Sequence, residues 1–528
     1  MTPDRPGGGT SNRPSMPSGG GRRGGGGAGL LGALLPLLLR NPKLLLIGAV
    51  ILGLVWLLGG LDGCGGMMQQ ADGGNLLAQL TRGATLDPAE YDKAEVYEPL
   101  TDNVRSPLPE RASLERFAPE RRNQGRQGSC VAWASAYAAR SIIHNQASGD
   151  GGTTAFSPSF MYNRIKIDGS DCQGSYILRA MDDMLQRGAV PFSRFAYTDS
   201  DCSAQPDAET ERSATRFRIK GYQRLSRTDD PNSPVDMVAM KQYLAQGSPV
   251  VIGMLVGGSF MEGMAGQEVW LPTQQDTRMQ GFGGHAMCVI GYDDYKLGAG
   301  QGGAFQIMNS WGPEWGRNGI AWVPYDAFAF FTKEAYAVYP MGASAEERPD
   351  RYDLRFGLAV VDAEGAATGE HIALQHRGGR TFRTERPVPA GTRFKVELTN
   401  NLECYTYLFG EETDGSTYVL FPYTPKHSPY CGTTGMRQFP RDHSLTVDEA
   451  GSRDAMAILV ANQPLDYPLI NQRMMAAGGA GLAQRLEAAL GEELMPGEQA
   501  AYSAGETFGL SAPASHNAVA VILEIEKR

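Results

Sequence analysis

A cysteine, a histidine and an asparagine stand out in this chain because each lies in a distinctive local sequence. Cys130 ends the run Gln124-Gly125-Arg126-Gln127-Gly128-Ser129-Cys130, His285 lies in Gly283-Gly284-His285-Ala286, and Asn309 opens Asn309-Ser310-Trp311-Gly312. A free thiol is mostly protonated at neutral pH, so a nucleophilic cysteine needs a neighbouring base and a site that favours the thiolate. His285 is the candidate base, and Asn309 is the candidate group that orients the imidazole.

The residues that follow Cys130 predict a helix that begins at the cysteine itself. Val131 to Arg140 is rich in alanine and contains no glycine or proline, and the loop before Cys130 contains two glycines. The N-terminus of a helix favours negative charge, which lowers the pKa of the thiol and offers a backbone N–H to an oxyanion. Gln124, six residues before Cys130, is a candidate for a second oxyanion donor.

Together these residues resemble the papain family of cysteine peptidases. In that family a glutamine six positions before the nucleophile completes the oxyanion hole, and an asparagine orients the histidine. In this chain 155 residues separate Cys130 from His285, and 24 separate His285 from Asn309. The resemblance implies hydrolysis of peptide bonds through a thioester on Cys130, with Trp311 shielding the hydrogen bond between His285 and Asn309.

The resemblance extends to the segment that would hold the substrate. Cys172-Gln173-Gly174-Ser175-Tyr176 is similar to the family's substrate-binding glycine loop. This implies that Gly174 pairs with the substrate backbone, and that Ser175 and Tyr176 line the main subsite. It also implies a disulfide between Cys172 and Cys202.

Other features depart from the family pattern. Plant and lysosomal members have a cysteine where this chain has Gln127 and a tryptophan where it has Val131. Only a short polar stretch, roughly Gly65 to Ser106, precedes the catalytic region, and no inhibitory propeptide is recognisable in it. How the activity is restrained is therefore open.

Each of the three candidate catalytic residues also has a purely structural interpretation when it is taken alone. A cysteine is often a small buried apolar residue, a histidine beside an apolar strand is often a core residue, and an asparagine is often part of a turn. Two other functions also stay open: a binding protein on an inactive papain-like fold, and an acyl transferase in which an amine captures the thioester. All four positions, Gln124, Cys130, His285 and Asn309, argue against the inactive form.

The composition excludes several other classes of protein. The chain has 528 residues, 42% hydrophobic and 20% charged, with a net charge of −10, which is typical of a globular protein with more than one domain. An acidic globular part with no basic aromatic stripe argues against nucleic-acid binding. No zinc, calcium or phosphate-loop motif is present, so we expect no metal and no organic cofactor.

The N-terminal part predicts a membrane anchor. Residues 1–43 are rich in glycine, proline and arginine and are expected to be disordered. Residues 44–61 are an uncharged apolar run long enough to span a bilayer, and residues 62–101 are expected to be a linker. Basic residues precede the span, so the N-terminus is expected in the cytoplasm and the catalytic part outside. A lipoprotein modified at Cys64 and ordinary secretion are alternatives, and both also export the enzyme.

The C-terminal part predicts a separate β-rich domain. The peptidase domain is expected at 102–342, a linker at 343–355 and a β-sandwich at 356–528, with a helical insertion near 470–494. Cys404 through Pro422 resembles an uncharacterised bacterial sandwich domain, and Cys404 and Cys431 are a second candidate disulfide. The sandwich is predicted to bind a ligand or protein partner, or to act as a spacer. The fold class is α+β: one N-terminal transmembrane helix, a two-lobed papain-like domain with a helical and a β-barrel-like lobe, and the sandwich.

Overall fold

The computed structural model describes residues 2–3, 82–101, 107–169, 171–339, 350–478, 481–503, 505 and 507–528. The predicted span at 44–61 and Cys64 lie outside these ranges. Within these ranges, no helix combines the length and the apolar character needed to cross a bilayer.

The helices are concentrated between residues 130 and 245, with a second group near the C-terminus. In chain order they are α1 (Pro88–Tyr91), α2 (Cys130–Ala132), α3 (Ser141–Ser148), α4 (Pro158–Ile165), α5 (Ile177–Gln186), α6 (Ala208–Ala214), α7 (Met237–Ala245), α8 (Gly258–Glu262), α9 (Tyr325–Phe331), α10 (Tyr467–Ala476) and α11 (Leu482–Leu490).

The predicted alanine-rich helix lies in the hydrophobic core of the first domain. It begins as α2, continues through a π-helical stretch at Trp133–Arg140, and ends as α3. Every residue from Cys130 to Ile143 is buried, because small alanine side chains allow neighbouring elements to pack closely on all sides. Gly149, with φ of 74°, ends the helix in the left-handed conformation that glycine adopts without strain.

One sheet of nine strands packs against this helix. The first strand of the chain, β1 (Thr2–Pro3), belongs to a different sheet. The strands of the nine-stranded sheet that precede the C-terminal domain are β2 (Val96–Tyr97), β3 (Arg111–Ser113), β4 (Tyr222–Arg224), β5 (Val250–Val256), β6 (Gly283–Asp293), β7 (Ala304–Met308), β8 (Ile320–Pro324) and β9 (Thr332–Val338). The sequence predicts the buried strands β5 and β6 correctly, since both are continuous apolar runs bounded by glycine or proline. The strand order is open in the described residues, so the lobe expected to be β-barrel-like is an open sheet there.

Two further sheets form the C-terminal domain. Their strands are β10 (Arg351–Val361), β11 (Ala367–His371), β12 (Leu374–Gly378), β13 (Thr381–Thr384), β14 (Arg393–Asn400), β15 (Cys404–Glu411), β16 (Thr417–Phe421), β18 (Tyr430–Cys431), β19 (Gly435–Phe439), β20 (Leu445–Thr446), β21 (Arg453–Ala461), β22 (Ala501–Ser503), β23 (Phe508–Pro513) and β24 (Ala518–Glu526); β17 (His427–Ser428) pairs outside this domain.

The two sheets share one apolar core, as a sandwich requires. Inward side chains from β10 and β14 on one sheet meet those from β21 and β24 on the other. The outer face of the second sheet is covered by α10 and α11, which are the predicted helical insertion. The domain begins at Arg351 rather than at the expected residue 356.

Two short strands, β2 and β17, connect the nine-stranded sheet to the C-terminal domain. β2 lies between β4 and β17, and it pairs parallel with both. Residues 82–101 are therefore built into the folded body, whereas the sequence predicts a linker there. At the edge of the sandwich, β1 pairs antiparallel with β20.

Candidate active site

Cys130 is the first residue of α2, as the sequence predicts. Ser129 precedes the helix at the N-cap position, and the side chain of Cys130 is fully buried. The backbone N–H of Ala286, on β6, donates a hydrogen bond to the Sγ atom over 3.4 Å. Because Ala286 directly follows His285, this contact places the thiol beside the imidazole.

His285 and Asn309 form the expected pair. Nε2 of His285 lies 2.8 Å from Oδ1 of Asn309, and the same Oδ1 accepts the N–H of Ser310 at 2.7 Å. An oxygen can only accept, so Nε2 carries the hydrogen, and in the neutral ring Nδ1 is the basic nitrogen. Nδ1 is buried and has no hydrogen-bond partner among the described residues. It is the nitrogen left for the proton of Cys130.

Trp311 covers this pair. Its ring stacks on the imidazole of His285 with the centroids 4.3 Å apart and the planes inclined by 24°. Trp311 is itself buried. It lies where the sequence predicts a shield for the hydrogen bond between His285 and Asn309.

Gln124 is held with its amide group oriented by two contacts. Its Oε1 accepts a hydrogen bond from the Ser310 hydroxyl at 2.6 Å, which makes Nε2 the donor end, and Nε2 donates to the carbonyl of Gln127 at 2.9 Å. An amide nitrogen has two hydrogens, so one is left after the bond to Gln127. Gln124 therefore stays a candidate for the second oxyanion donor.

A short segment from the expected linker lies across these residues. We call Arg82–Leu86 the cover segment. Ala84 donates its N–H to the carbonyl of Gly284 at 3.2 Å, and a guanidinium nitrogen of Arg82 donates to the carbonyls of Val256 at 2.9 Å and Gly281 at 2.7 Å. The sequence does not predict that this segment lies over Cys130, because its residues show no hydrophobic periodicity and resemble no inhibitory propeptide.

The cover segment also pairs with the opposite wall of the cleft. Ser175 donates its N–H to the carbonyl of Gly83, and its own carbonyl accepts the N–H of Thr85, both at 2.9 Å. The carbonyl of Gly83 is thus bonded to Ser175, while the backbone N–H of Gly83 faces the thiol. The cover segment therefore lies across Cys130 with an N–H group toward it.

Burial controls the protonation of the covered pair. It raises the pKa of Cys130 to about 12, against the hydrogen bonds from backbone N–H groups that lower it, and it lowers the pKa of His285 to about 4, against the bond to Asn309. Burial therefore favours the neutral form of both groups. It opposes the lowering of the thiol pKa that the sequence predicts from the helix N-terminus.

The predicted role of Gly174 needs correction. Its N–H donates to the hydroxyl of Tyr162 at 3.1 Å, and its carbonyl accepts the N–H of Ile167 at 3.0 Å. Both backbone groups form hydrogen bonds inside the domain, and the N–H of Gly174 is not left for a substrate. The residue whose backbone pairs in the cleft is the next one, Ser175. Tyr176 follows at the start of α5, partly exposed, under the guanidinium of Arg179.

One of the two candidate disulfides is present. Cys172 and Cys202 are joined, with their Cα atoms 6.0 Å apart, and the carbonyl of Cys172 accepts the N–H of Gly128 at 2.9 Å. The disulfide thus fixes the loop that leads to the nucleophile. Cys404 and Cys431 are neighbours in β15 and β18 but are free buried thiols, which corrects the second pairing. The described ranges contain no cluster of residues suited to a metal ion.

Comparison with known proteins points to one family for the catalytic region. Residues 111–340 match the family model described as papain family cysteine protease. An uncharacterised peptidase C1-like protein of Acanthamoeba polyphaga mimivirus is 28% identical over 214 residues, which cover 38% of this chain and 63% of that protein. The match therefore spans less than two thirds of that relative.

Solved structures of cysteine proteases give similar matches. Xylellain, a cysteine protease from Xylella fastidiosa, is 25% identical with a TM-score of 0.41, covering 50% of this chain and 97% of its own. A procathepsin B from Trypanosoma congolense is 17% identical with a TM-score of 0.38, covering 52% of this chain and 91% of its own.

Proposed function

We propose that the papain-like cysteine peptidase domain at residues 111–340 hydrolyses peptide bonds of peptides or proteins through a thioester on Cys130. The observation that carries this is the pairing of Nε2 of His285 with Oδ1 of Asn309 at 2.8 Å, which leaves Nδ1 as a base beside the thiol. Trp311 and the N–H of Ala286 fix the same arrangement from two other sides.

The reaction follows from the placement of these groups. Once the cover segment has left, Nδ1 of His285 accepts the thiol proton and Sγ of Cys130 attacks the carbonyl carbon of the substrate. The oxyanion receives hydrogen bonds from the N–H of Cys130 and from Nε2 of Gln124. Collapse of the tetrahedral intermediate breaks the C–N bond, and the imidazolium of His285 protonates the leaving amine. A water deprotonated by His285 then hydrolyses the thioester and restores the thiol.

The test is covalent labelling of Cys130 by a peptidyl epoxide, read by intact mass and peptide mapping. The cover segment must be displaced first, and Gly83→Ala is designed to do this, because a β-carbon at Gly83 would lie 2.1 Å from the carbonyl oxygen of Gly128. We expect one label per chain in Gly83→Ala and none in the same variant with Cys130→Ala. A folded Gly83→Ala protein that takes no label would favour an inactive binding protein.

Hydrolysis and acyl transfer are separated by the products. Peptide substrate incubated with an added amine gives a free acid if water captures the thioester, and an amide if the amine does. We expect the free acid as the main product. A dominant amide mass would assign transfer to the same nucleophile.

The chain is further proposed to act outside the cytoplasm, anchored by residues 44–61. The support is the apolar run with basic residues before it, together with the disulfide between Cys172 and Cys202, which is typical of oxidising compartments. Insertion with a cytoplasmic N-terminus requires the two-residue pairing of β1 with β20 to open. Membrane fractionation with and without residues 44–61 tests the anchor, and the mass of the peptide containing Cys64 tests the lipoprotein alternative.

A further inference from the structure

We infer that the C-terminal sandwich is an intramolecular clamp for the segment Asp92–Thr101, and that by holding this segment it keeps the cover segment in the cleft. We call Asp92–Thr101 the tether. The inference rests on the proposed peptidase function, and it gives the sandwich a role in the control of that site.

The tether and the cover segment are one continuous stretch of chain. The cover segment ends at Leu86, which packs on the core of the peptidase. The side chain of Asp87 then caps α1 by accepting the N–H of Ala89 at 2.9 Å. The tether begins directly after α1, whose Tyr91 is buried in the core of the peptidase. A force that fixes the tether therefore adds to the restraint that Tyr91 places on the cover segment.

The sandwich binds the backbone of the tether at three points. Val96 donates its N–H to the carbonyl of Lys426 at 3.0 Å as β2 pairs with β17. Thr101 donates its N–H to the carbonyl of Met436 at 2.7 Å. Nε of Arg437 donates to the carbonyl of Glu98 at 3.1 Å. Main-chain bonds of this kind are how a sheet edge recognises an added strand.

Arg437 is the centre of this contact. It is fully buried, and its other donors reach Oδ1 of Asn400 at 2.7 Å and the carbonyl of Thr433 at 2.8 Å. Both partners belong to the sandwich, so the guanidinium is positioned by the sandwich and directed at the tether. A buried cation that loses one hydrogen bond is costly, so release of the tether is opposed at this residue.

Charged groups add to the clamp. Lys426 of the sandwich pairs with Asp92 at the start of the tether. The sandwich is also fixed to the peptidase itself, by Arg441 with Asp236 at 3.0 Å and by Lys220 with Glu403. The clamp is therefore anchored on the body that carries the cleft.

The contact between the tether and the sandwich borders a cavity. A cavity of about 930 Å³ lies between the three parts, walled by Lys93 and Tyr97 of the tether, Tyr222 of the peptidase, and Glu403 and Tyr430 of the sandwich. One flank of the tether therefore faces this cavity rather than a closed apolar core. Release then requires the loss of these hydrogen bonds and ion pairs and of the pairing of β2 with β4, and it uncovers the buried side chain of Val96.

The peptidase holds the cover segment by backbone hydrogen bonds and by the packing of Leu86, and it also contacts the tether, through the pairing of β2 with β4. With the tether fixed, return of the cover segment to the cleft is an intramolecular step with a short loop, and its effective concentration at the cleft is high. With the tether free, the same segment explores a larger volume, and the open fraction of the enzyme rises.

The test compares two buried arginines of the sandwich in the full chain. Arg437→Met removes the contact to the tether. Arg485→Met is the matched control, because Arg485 is equally buried but bonds to Gly415 at 2.5 Å and to Glu411 inside the sandwich. The readout is the rate at which the peptidyl epoxide labels Cys130, since labelling of a covered site follows the open fraction.

We expect Arg437→Met to label about 10- to 100-fold faster than wild type, the range for loss of one hydrogen bond to a charged group. Arg485→Met is expected to stay at the wild-type rate. Thr101→Pro removes one N–H donor from the tether without altering the sandwich, and it is expected to label about 10-fold faster. It keeps the inference testable if Arg437→Met does not fold.

Gly83→Ala separates failure of the clamp from failure of the enzyme. If Gly83→Ala is labelled while Arg437→Met and Thr101→Pro remain at the wild-type rate, the sandwich does not control the cover segment. Equal acceleration by Arg437→Met and Arg485→Met would overturn the clamp in favour of general destabilisation of the sandwich. If Gly83→Ala itself takes no label, the proposed function fails, and the clamp has no active site to control.

Discussion

The backbone of Gly83 lies so close to that of Gly128 that a β-carbon on Gly83 would stand 2.1 Å from the carbonyl oxygen of Gly128. Gly128 is two residues before Cys130, the proposed nucleophile, so the chain approaches the loop that leads to Cys130 at a distance that only glycine allows. This contact closes the cleft, and with the bonds of Ser175 to Gly83 and Thr85 it explains why Cys130 is fully buried.

Gly83→Ala should therefore activate the protein. Backbone atoms cannot yield as a flexible side chain would, so the cover segment must leave the cleft. We expect turnover of a fluorogenic peptide to rise at least about 10-fold over wild type. Loss of several hydrogen bonds that hold the cover segment would raise the open fraction of the enzyme by at least this factor. Gly151→Ala is the control, because nothing lies within 4 Å of the position of its added carbon. If another variant of this chain hydrolyses the peptide while turnover in Gly83→Ala equals that of wild type, the cover segment does not block the site.

Gln124→Ala should impair catalysis without abolishing it. The change removes one oxyanion donor, while the N–H of Cys130 remains, and such losses reduce kcat by about 10²- to 10³-fold. The measurement is kcat for peptide hydrolysis in the Gly83→Ala background, with circular dichroism to verify folding, because the change also removes the bond from Ser310. A kcat within twofold of the parent would exclude Gln124 from the oxyanion hole.

Removal of the disulfide should destabilise the peptidase domain. Cys172 and Cys202 are 30 residues apart, and closing a loop of that size contributes roughly 2–4 kcal/mol. The measurement is urea unfolding monitored by tryptophan fluorescence. We expect the double variant Cys172→Ser with Cys202→Ser to unfold at a lower urea concentration than wild type. Wild type treated with a thiol reductant should show the same shift, and the variant should not respond to the reductant. A reductant effect of equal size in both would assign the shift to other thiols.

Closure of the tether should weaken as the pH rises. Burial raises the pKa of Glu98 to about 8 from the model-peptide value of 4.5, against the lowering effect of Arg441 and Arg437. A raised pKa means that closure binds a proton, so its contribution is full below about pH 4.5 and is lost as the pH rises through about 8. Other groups that face this carboxyl are Tyr423, Cys431 and Asp442.

The measurement is the ratio of the labelling rates of wild type and Gly83→Ala between pH 5 and 9. The ratio cancels the ionisation of Cys130 in the open form, which both proteins share. The ratio of wild type to Gly83→Ala should increase with pH. The ratio of Glu98→Gln to Gly83→Ala should change less with pH, because glutamine has no proton to lose. A ratio independent of pH would mean that Glu98 ionises equally in the open and closed forms.

The sequence by itself determined which residues are proposed to carry the chemistry. Cys130, His285 and Asn309 are recognisable because a thiol nucleophile needs a helix N-terminus, a base and an orienting amide, and each leaves a local pattern in the chain. Buried strands such as β5 and β6 are recognisable for a similar reason, since burial on both faces demands a continuous apolar run.

Only the tertiary structure decided how that chemistry is covered. The cover segment and the tether bind through backbone N–H and carbonyl groups, which every residue possesses, so their partners leave no pattern in side-chain types. Ser175, rather than Gly174, pairs in the cleft for the same reason, because the backbone groups of Gly174 are already used within the domain. The protonation of Cys130 also depends on what excludes water from it, and that is set by Gly83, 47 residues away in the chain.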